Sequence, residues 1–399
     1  MLAERIPDIQ KALAEMGVDG WLFSCFQHSD PVSLELLGLT GDHLVTRRCY
    51  YLIPTQGEPR RLMHRLEPKM LGHLAGIESF YLTWKEHRHA MAELLDGCTR
   101  VAAQYSPDNA LPAVSRLDAG TVELLSGLGV TVASSADLVQ KFAAVWSDEQ
   151  LESHRRANTH LHEIVKMAFD LVAHKLKDGE EPQEYAIQQY ILEQFENRGM
   201  WTESPPIVGV NEHSADPHYQ PGPDLSTAIK KGDLLLIDLW AKEKPEVFGA
   251  GAVYGDITWC GVCRAEPTER EVELWTTAVA ARDAGWQLVA DNFPHTTVRG
   301  FEVDDATREV IEAAGLGEWF IHRTGHSIGI QDHGQGANMD NLETHDTRPL
   351  EPMTGFSIEP GIYLPGEFGV RTEINVALTR EAAEITGAEP QVDLLRLLA

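Results

Sequence analysis

Acidic residues stand inside four apolar, strand-like segments of this sequence, and this feature restricts the fold more than any other. The four residues are Asp238, Asp256, Glu359 and Glu373. Each follows or interrupts a run of residues such as Leu, Ile, Val and Phe, so we expect each to be buried. An ionised carboxylate buried without a partner is prohibitively unfavourable, so each must bind a cation or be protonated.

A basic side chain is the simplest partner for such a carboxylate. For any one of the four taken alone, pairing with a local Lys or Arg is the more common explanation. That explanation is weaker for all four together, because only Arg371 lies close to one of them in sequence. The sequence therefore favours a shared partner for the set.

A histidine-rich segment supplies a different kind of ligand. It holds His322, His326 and His333 within twelve positions, with glycines that allow close backbone approach. A lone His in such a segment is more often structural, but the cluster gains weight beside the carboxylates. Two Asp, two Glu and one His suit two divalent ions such as Mn, Co or Zn. Four carboxylates balance two dications, whereas one ion would leave like charges repelling strongly at an effective dielectric of ~20.

Chain length and a change of pattern near residue 147 predict two domains. Single cores stop growing at about 250–300 residues, and this chain has 399. Residues 1–146 alternate strand and helix patterns, as in a layered α/β domain, and include a hairpin predicted over Cys49–His64. Residues 147–399 begin with a long helical pattern over Leu151–Lys177 and later return to strands.

The formal net charge of −28 disfavours several partners. An acidic surface repels polyanions, so we expect no nucleic acid partner and no binding to anionic membranes. The five cysteines are too few and too scattered for a disulfide framework. The N-terminus shows no signal-peptide pattern, and no apolar run approaches the ~20 residues needed to span a bilayer. We therefore expect a cytoplasmic location.

Five motifs that carry the acidic and histidine residues follow one another along the chain. They are Ile229–Asp238, Gly255–Thr258, His322–His333, Glu359–Tyr363 and Val370–Glu373. Together they resemble the prolidase and aminopeptidase P branch of the pita-bread metallopeptidases over roughly residues 151–378. The preceding region is similar to the creatinase-type N-terminal domain. The resemblance implies an α+β fold, with a pita-bread catalytic domain at 147–399 behind a smaller α/β domain at 1–146, and it implies a homodimer.

The resemblance also implies a role for each metal ligand. Asp238 would bind one of two divalent ions, and Asp256 and Glu373 would bridge both. His326 and Glu359 would complete the coordination of the second ion, and Glu359 would also act as general base.

Four further residues are implied in handling the substrate. His218 and His333 would act in catalysis by orienting the substrate and stabilising the tetrahedral intermediate. Arg371 would hold the substrate's carboxylate or a neighbouring ligand, and His322 would assist substrate binding from behind the ligands.

The sequence departs from the family pattern at three places. Trp259 stands where the family usually has Arg, and Ser204 where it usually has Tyr, which puts in doubt the hydrogen bonds around the metals and the strictness of proline selection. The spacing from Asp238 to Asp256 is longer than usual, so we predict an inserted loop over Lys242–Gly251 at the rim of the site.

The function implied by the resemblance is that of a prolidase. A metal-bridging hydroxide would hydrolyse the peptide bond before proline in Xaa-Pro dipeptides, since metal coordination lowers the pKa of water towards roughly 7. The short segment between Glu359 and Glu373 resembles dipeptidases more than long aminopeptidases P. Two alternatives stay open: an Xaa-Pro aminopeptidase acting on longer peptides, and a non-peptidase of the same fold, such as a creatinase-like hydrolase or a binding protein. The sequence does not decide the native metal or the physiological peptide.

Overall fold

The computed structural model of the chain describes residues 2–39 and 44–399. The chain divides into two units, Met1–Ala143 and Ala144–Ala399. Within the described residues, none of the helices has both the length and the apolar character that a membrane span requires.

The first unit is built on one mixed sheet. Its strands are β1 Gly20–Cys25, β2 Cys49–Pro54, β3 Arg60–His64, β4 Ile77–Tyr81, β5 Arg100–Ala103 and β6 Thr131–Ser134. Its α-helices are α1 Leu2–Met16, α2 Pro31–Leu36, α3 Trp84–Leu94, α4 Ala119–Ser126 and α5 Ala136–Phe142. The strand order is β4-β3-β2-β1-β5-β6. β2 pairs antiparallel with β1 and β3, which confirms the predicted hairpin, and the other neighbours are parallel.

Successive residues of β1 pack on opposite faces of this sheet. Trp21 and Phe23 belong to a core cluster shared with α1, α2 and α5, whereas Leu22 belongs to a second cluster shared with α3 and α4. Because side chains alternate along a strand, each central strand serves both cores. The unit is therefore a layered α/β structure with helices on both faces of the sheet.

The second unit begins with two helices and continues with strands and helices. Its α-helices are α6 Asp148–Lys177, α7 Glu184–Asn197, α8 Glu269–Asn292 and α9 Gly300–Ala313. Its strands are β7 Met200–Trp201, β8 Ile207–Val210, β9 Leu234–Glu243, β10 Gly255–Val262, β11 Ser327–Ile328, β12 Thr354–Ile358, β13 Gly361–Leu364, β14 Phe368–Arg371, β15 Ile374–Leu378, β16 Ala383–Ile385 and β17 Leu395–Arg396. The chain as a whole is α+β.

Three sheets form in the second unit. One has the order β17-β10-β9-β7, with β8 also paired to β9; the second has the order β11-β12-β15-β16; the third is the β13-β14 pair. One face of the β9-β10 pair packs on α6 and α7 through residues such as Leu239 and Ile257. The other face packs partly on α8, where Leu236 and Cys260 contact the cluster of Trp275.

Local chemistry fixes the start of α6. The Ser147 hydroxyl accepts a hydrogen bond from Gln150 N at 3.2 Å, and the Gln150 side chain accepts one from Ser147 N at 2.9 Å. This reciprocal pair is a capping box, which satisfies two backbone donors at the helix start.

The predicted inserted loop begins later than expected. β9 continues to Glu243, so Lys242 lies in a strand, where it is paired with Trp201 of β7. The irregular segment between β9 and β10 is 244–254.

Candidate metal centre

The β9-β10 pair brings the first two acidic residues together. Asp238 on β9 stands opposite Thr258 on β10. Asp256 lies two residues before Thr258, and since side chains alternate along a strand, Asp256 and Thr258 share one face. Both carboxylates therefore project from the same side of this pair of strands.

The second sheet supplies the remaining acidic residues and the histidine. Glu359 comes directly after β12, Glu373 comes directly before β15, and His326 comes directly before β11. β12 pairs with both β11 and β15, so these three positions meet at one edge of the sheet. The structure thus gathers residues that are far apart in sequence.

Distances show that these side chains converge. His326 Nε2 lies 3.4 Å from Asp256 Oδ2 and 3.5 Å from Glu359 Oε1. Asp256, His326 and Glu373 each offer a ligand atom, and these three atoms all lie within 4.8 Å of one another. Asp238 is joined to the group through Arg371, which donates to Asp238 Oδ2 and lies 3.9 Å from Glu359 Oε2.

The buried oxygens of this group test whether metal ions fit. Asp238 Oδ1, Asp256 Oδ1 and Glu373 Oε1 are buried and have no hydrogen-bond partner within the described part of the chain. A buried acceptor without a donor is unfavourable by about 1–3 kcal/mol, and more when it is charged. Three neighbouring carboxylates with such oxygens, two of which lie beside the imidazole of His326, form a donor set that suits divalent ions. The residues present therefore fit a metal centre.

The electrostatics of the group agree with this. Burial, followed by the charges of Glu373 and Asp332, raises the pKa of Asp256 well above its usual range. Burial, followed by Glu359 and Asp238, does the same for Glu373. The carboxylates therefore repel one another in a region of low dielectric, and bound cations would relieve that repulsion.

Glu359 differs from its neighbours. Burial alone would raise the pKa of its carboxyl group, but His326, His322 and Arg371 together hold the pKa below its ordinary value. Its side chain is 17% exposed, more than those of Asp256 and His326. Glu359 is therefore ionised at neutral pH and accessible, which a proton acceptor needs.

Arg371 is buried among the ligands. Its guanidinium donates to Asp238 Oδ2, to Thr258 Oγ1 at 3.0 Å and to Tyr363 OH at 3.0 Å. These contacts favour the second of its two predicted roles, in which it holds a neighbouring ligand. Its binding of a substrate carboxylate stays a prediction.

His322 lies behind Arg371. Its Nε2 is 2.8 Å from Tyr363 OH and its Nδ1 is 2.7 Å from Arg323 O, so both ring nitrogens have partners. Tyr363 thus links His322 to Arg371. Direct contact between His322 and substrate stays a prediction.

His333 and His218 are exposed near the ligands. The ring of His333 lies 4.1 Å from that of His326, and its side chain is 65% exposed. The pKa of His333 is lowered, chiefly by the charge of the neighbouring His326 and further by Arg323 and His218. His218 is therefore close enough to His333 for their charges to interact, and both imidazoles are accessible to solvent.

Trp259, the first of the departures from the family pattern, faces away from the ligands. Trp259 alternates with Thr258 on β10, so it projects to the opposite face of the strand, where it packs with the core of α6 and lies 6.0 Å from the ring of His162. Trp259 therefore does not contact the carboxylates, and the effect of the missing Arg on hydrogen bonds around the metals stays a prediction. Ser204 is exposed.

Three residues of the site were not singled out from the sequence. Thr258 donates to Glu373 Oε2 at 2.8 Å, and Asn375 accepts from Asp256 N at 2.8 Å. Asp332 lies beside His326 and His333. Thr258 and Asn375 each stand two residues beyond a predicted ligand on the same strand face, and this spacing is the signal that would have found them.

Comparisons with known proteins agree with this geometry. A model of metallopeptidase family M24 matches residues 155–380, which is more than half of the chain. An uncharacterized peptidase of Schizosaccharomyces pombe is 29% identical over 82% of this chain and 65% of its own length. The matched region thus spans less than two thirds of that relative.

Solved structures share the fold along the whole chain. The dipeptidase PepE of Mycobacterium ulcerans has a TM-score of 0.75 at 23% identity, over 100% of this chain and 98% of its own. A prolidase from Thermococcus sibiricus has a TM-score of 0.65 at 22% identity, over 98% of both chains. At this level of identity the likeness concerns the fold.

Proposed function

Because the chain belongs to metallopeptidase family M24 and has its pita-bread fold, we propose that it hydrolyses Xaa-Pro dipeptides with the help of two divalent ions. The observation that carries this proposal is the convergence of buried carboxylate oxygens without hydrogen-bond partners beside His326. We assign catalysis to residues 147–399 and regard residues 1–146 as a creatinase-type N-terminal domain.

Five side chains would hold the ions. Asp238 would serve one ion, His326 and Glu359 would serve the other, and Asp256 and Glu373 would be shared between them. Two dications balance these four carboxylates, and Mn, Co and Zn all accept this oxygen-rich set. When bound, such ions would lower the pKa of water towards roughly 7, so that a hydroxide nucleophile is available near neutral pH, and would polarise the scissile carbonyl.

Glu359 is the general base in this proposal. Its lowered pKa keeps it ionised at neutral pH, so it can take a proton from the attacking water. The same carboxyl group then delivers that proton to the leaving nitrogen of proline, which returns Glu359 to its ionised form.

The exposed imidazoles face the substrate in this proposal. The lowered pKa of His333 keeps it neutral, so one ring nitrogen carries a proton and can donate a hydrogen bond. His218 and His333 would donate to the substrate carbonyl as negative charge develops on its oxygen. Arg371, anchored by Thr258 and Tyr363, orients Asp238.

Substrate hydrolysis by the metal-loaded protein tests this function. We expect Ala-Pro to be cleaved, Ala-Ala to be cleaved much more slowly, and Ala-Pro-Ala to be a poor substrate. Equal efficiency on Ala-Pro and Ala-Pro-Ala would instead identify an aminopeptidase for longer peptides. No hydrolysis of any of the three would favour a non-peptidase of the same fold. The cytoplasmic location and the homodimer stay predictions.

A further inference from the structure

Asp332 is a carboxylate beside the candidate centre that the proposed reaction does not use. One of its oxygens joins ring nitrogens of His326 and His333 in a set whose atoms all lie within 4.8 Å of one another. Its side chain is 25% exposed, so a small molecule can approach it from solvent. Asp332 therefore lies at the border between the ligands and the exposed imidazoles.

Hydrogen bonds within the protein leave Asp332 with unused acceptor capacity. Its Oδ1 is buried and has no hydrogen-bond partner among the residues described. Its Oδ2 lies 3.9 Å from His333 Nε2, beyond hydrogen-bond distance. A donor that enters from solvent would therefore meet Oδ2, since Oδ1 is buried.

The backbone around Asp332 is held in place by buried contacts. Lys242 Nζ donates to Ile330 O and lies 5.3 Å and 4.9 Å from the ring centroids of Trp201 and Tyr254. Tyr254 N donates to Gly329 O at 3.0 Å. These contacts fix the segment 329–333, so Asp332 presents its carboxylate in a defined position.

Arg323 contacts the ring of His333. Its Nη2 donates to His333 Nδ1 at 3.4 Å. An arginine only donates, so Nδ1 of the neutral ring accepts and the proton resides on Nε2. Lys242 and Arg323 thus each contact a group other than the Asp332 carboxylate.

The field at Asp332 favours a positive charge. The negative charges of Asp238, Glu359 and Glu203 act on Asp332, and the positive charge of Arg323 opposes them. Divalent ions held by Asp238 and Glu359 would neutralise the negative charges of these two residues. The exposed Glu203 and the carboxylate of Asp332 would then remain as anionic groups beside the substrate site.

We propose that Asp332 binds the alkylammonium group of the substrate next to the divalent ions. This inference rests on the proposed function, since it assigns a specificity role within the same site. A dipeptide offers an alkylammonium group in two places, at its free α-amino end and on a basic first side chain. The interaction is a charge-assisted hydrogen bond that an uncharged analogue cannot make.

Binding of three matched ligands tests the proposal and separates the two sources. L-Norleucine and hexanoate differ only by the α-ammonium, and L-lysine and L-norleucine only by the side-chain ammonium. The full-length protein loaded with Mn²⁺ is titrated with each ligand by calorimetry. Asp332→Asn and, as a second variant, Asp332→Ser are compared with wild type. Asp170→Asn, an exposed carboxylate on α6, is the matched control for charge removal.

If the α-ammonium is the group bound, Asp332→Asn raises the Kd for L-norleucine about tenfold and leaves the Kd for hexanoate unchanged. If the side-chain ammonium is the group bound, only the affinity for L-lysine falls. Asp170→Asn changes none of the three. Equal binding by wild type and both Asp332 variants would overturn the proposal, as would a wild type that shows no preference for either amine over hexanoate.

Metal content distinguishes this role from ligation of the ions. Elemental analysis of Asp332→Asn should give the same Mn²⁺ content as wild type. Loss of Mn²⁺ together with weaker hexanoate binding would mean that Asp332 is a metal ligand, and the inference would be wrong. Failure of wild type to cleave any Xaa-Pro dipeptide would reject the proposed function alone, because the binding comparison does not depend on turnover.

Discussion

Buried carboxylates occur in two different settings within the second unit. Asp304 on α9 is fully buried, and its oxygens accept hydrogen bonds from Arg308 at 3.2 Å and from the backbone of Thr324 and Asn341 at 2.9 Å and 3.0 Å. Asp256 on β10 is 5% exposed, and its Oδ1 has no partner among the described residues. The two side chains are almost equally buried, yet only one is satisfied by the protein.

The difference teaches what marks a metal ligand. Burial alone does not, because Glu184 is also fully buried and accepts hydrogen bonds from Val210 N, Tyr219 OH and Thr227 N at 2.7–2.8 Å. The convergence of several carboxylates that each carry an unsatisfied oxygen does, because the protein has left those positions for a group it does not itself supply. Removing a carboxylate from the two settings should therefore have opposite consequences.

The largest effect should follow Glu359→Gln. This change removes the proposed base while keeping the shape of the side chain, so kcat on Ala-Pro should fall by about 10³-fold or more. Steady-state kinetics on the metal-loaded protein measure the loss, and circular dichroism checks the fold. The exposed Glu367→Gln is the control and should keep wild-type kcat. Near-normal turnover by Glu359→Gln would reject its role.

In the satisfied setting, Asp304→Asn should destabilise the folded protein. It leaves the guanidinium of Arg308, whose side chain is only 13% exposed, without its carboxylate, and breaking such a buried pair costs about 3–5 kcal/mol. Denaturant unfolding measures this loss. The next residue, Asp305, is exposed, so Asp305→Asn should change stability by less than about 0.5 kcal/mol. Similar values for the two variants would break the comparison.

His154 extends the comparison to a satisfied buried base. Its Nδ1 contacts Tyr254 O at 2.5 Å, and its Nε2 lies 3.1 Å from Asn158 Nδ2 and 2.9 Å from Thr386 Oγ1. Burial lowers its pKa from 6.5 to about 4, although the Tyr254 carbonyl opposes this and Arg155 adds to it.

The sign of the pH effect follows from this lowered pKa. The folded protein resists protonation of His154. The contribution of neutral His154 to the free energy of unfolding is therefore complete above pH 6.5 and declines as the pH falls from 6.5 to about 4. Over that window the decline amounts to roughly 3 kcal/mol. Unfolding free energies from pH 7 to 4 should fall less steeply in His154→Gln than in wild type or in the exposed Thr159→Ala. Parallel slopes in all three proteins would contradict this account of His154.

Asp256→Asn should give the smallest change, and it sharpens the comparison most. In metal-free protein it removes an unpartnered charge, so stability should stay the same or rise slightly. In wild type, Mn²⁺ at 100 times its Kd should stabilise the fold by about 2.7 kcal/mol. This gain should shrink strongly in Asp256→Asn and persist in Asp305→Asn. A large destabilisation of metal-free Asp256→Asn would show that the carboxylate is satisfied within the protein after all.

Local patterns allowed part of this structure to be predicted. The hairpin over Cys49–His64 was predictable because turn residues separate two apolar runs. The inclusion of Asp256 and Glu373 among the candidate ligands followed from acidic residues within apolar runs. The direction of Trp259 was also within reach, since alternation along β10 sets it opposite to Asp256 and Thr258.

Other features depend on contacts that span the sequence. Arg371 was predicted near the site, but its attachment to Asp238 and Thr258 arises from separations of more than 100 residues. Whether an oxygen of Asp332 has a hydrogen-bond partner depends on the residues around it in three dimensions. A sequence pattern does not show which donors lie within reach of it. The length of β9 was likewise set by its pairing with β7, which the local sequence did not indicate.

Metal stoichiometry tests the central claim most directly. Protein dialysed against Mn²⁺ and then analysed for bound metal should hold two ions per chain, and Asp256→Asn should hold fewer, while Asp304→Asn that remains folded should still hold two. Less than one ion per wild-type chain, or equal contents in wild type and Asp256→Asn, would show that the unsatisfied carboxylates do not form a dinuclear centre.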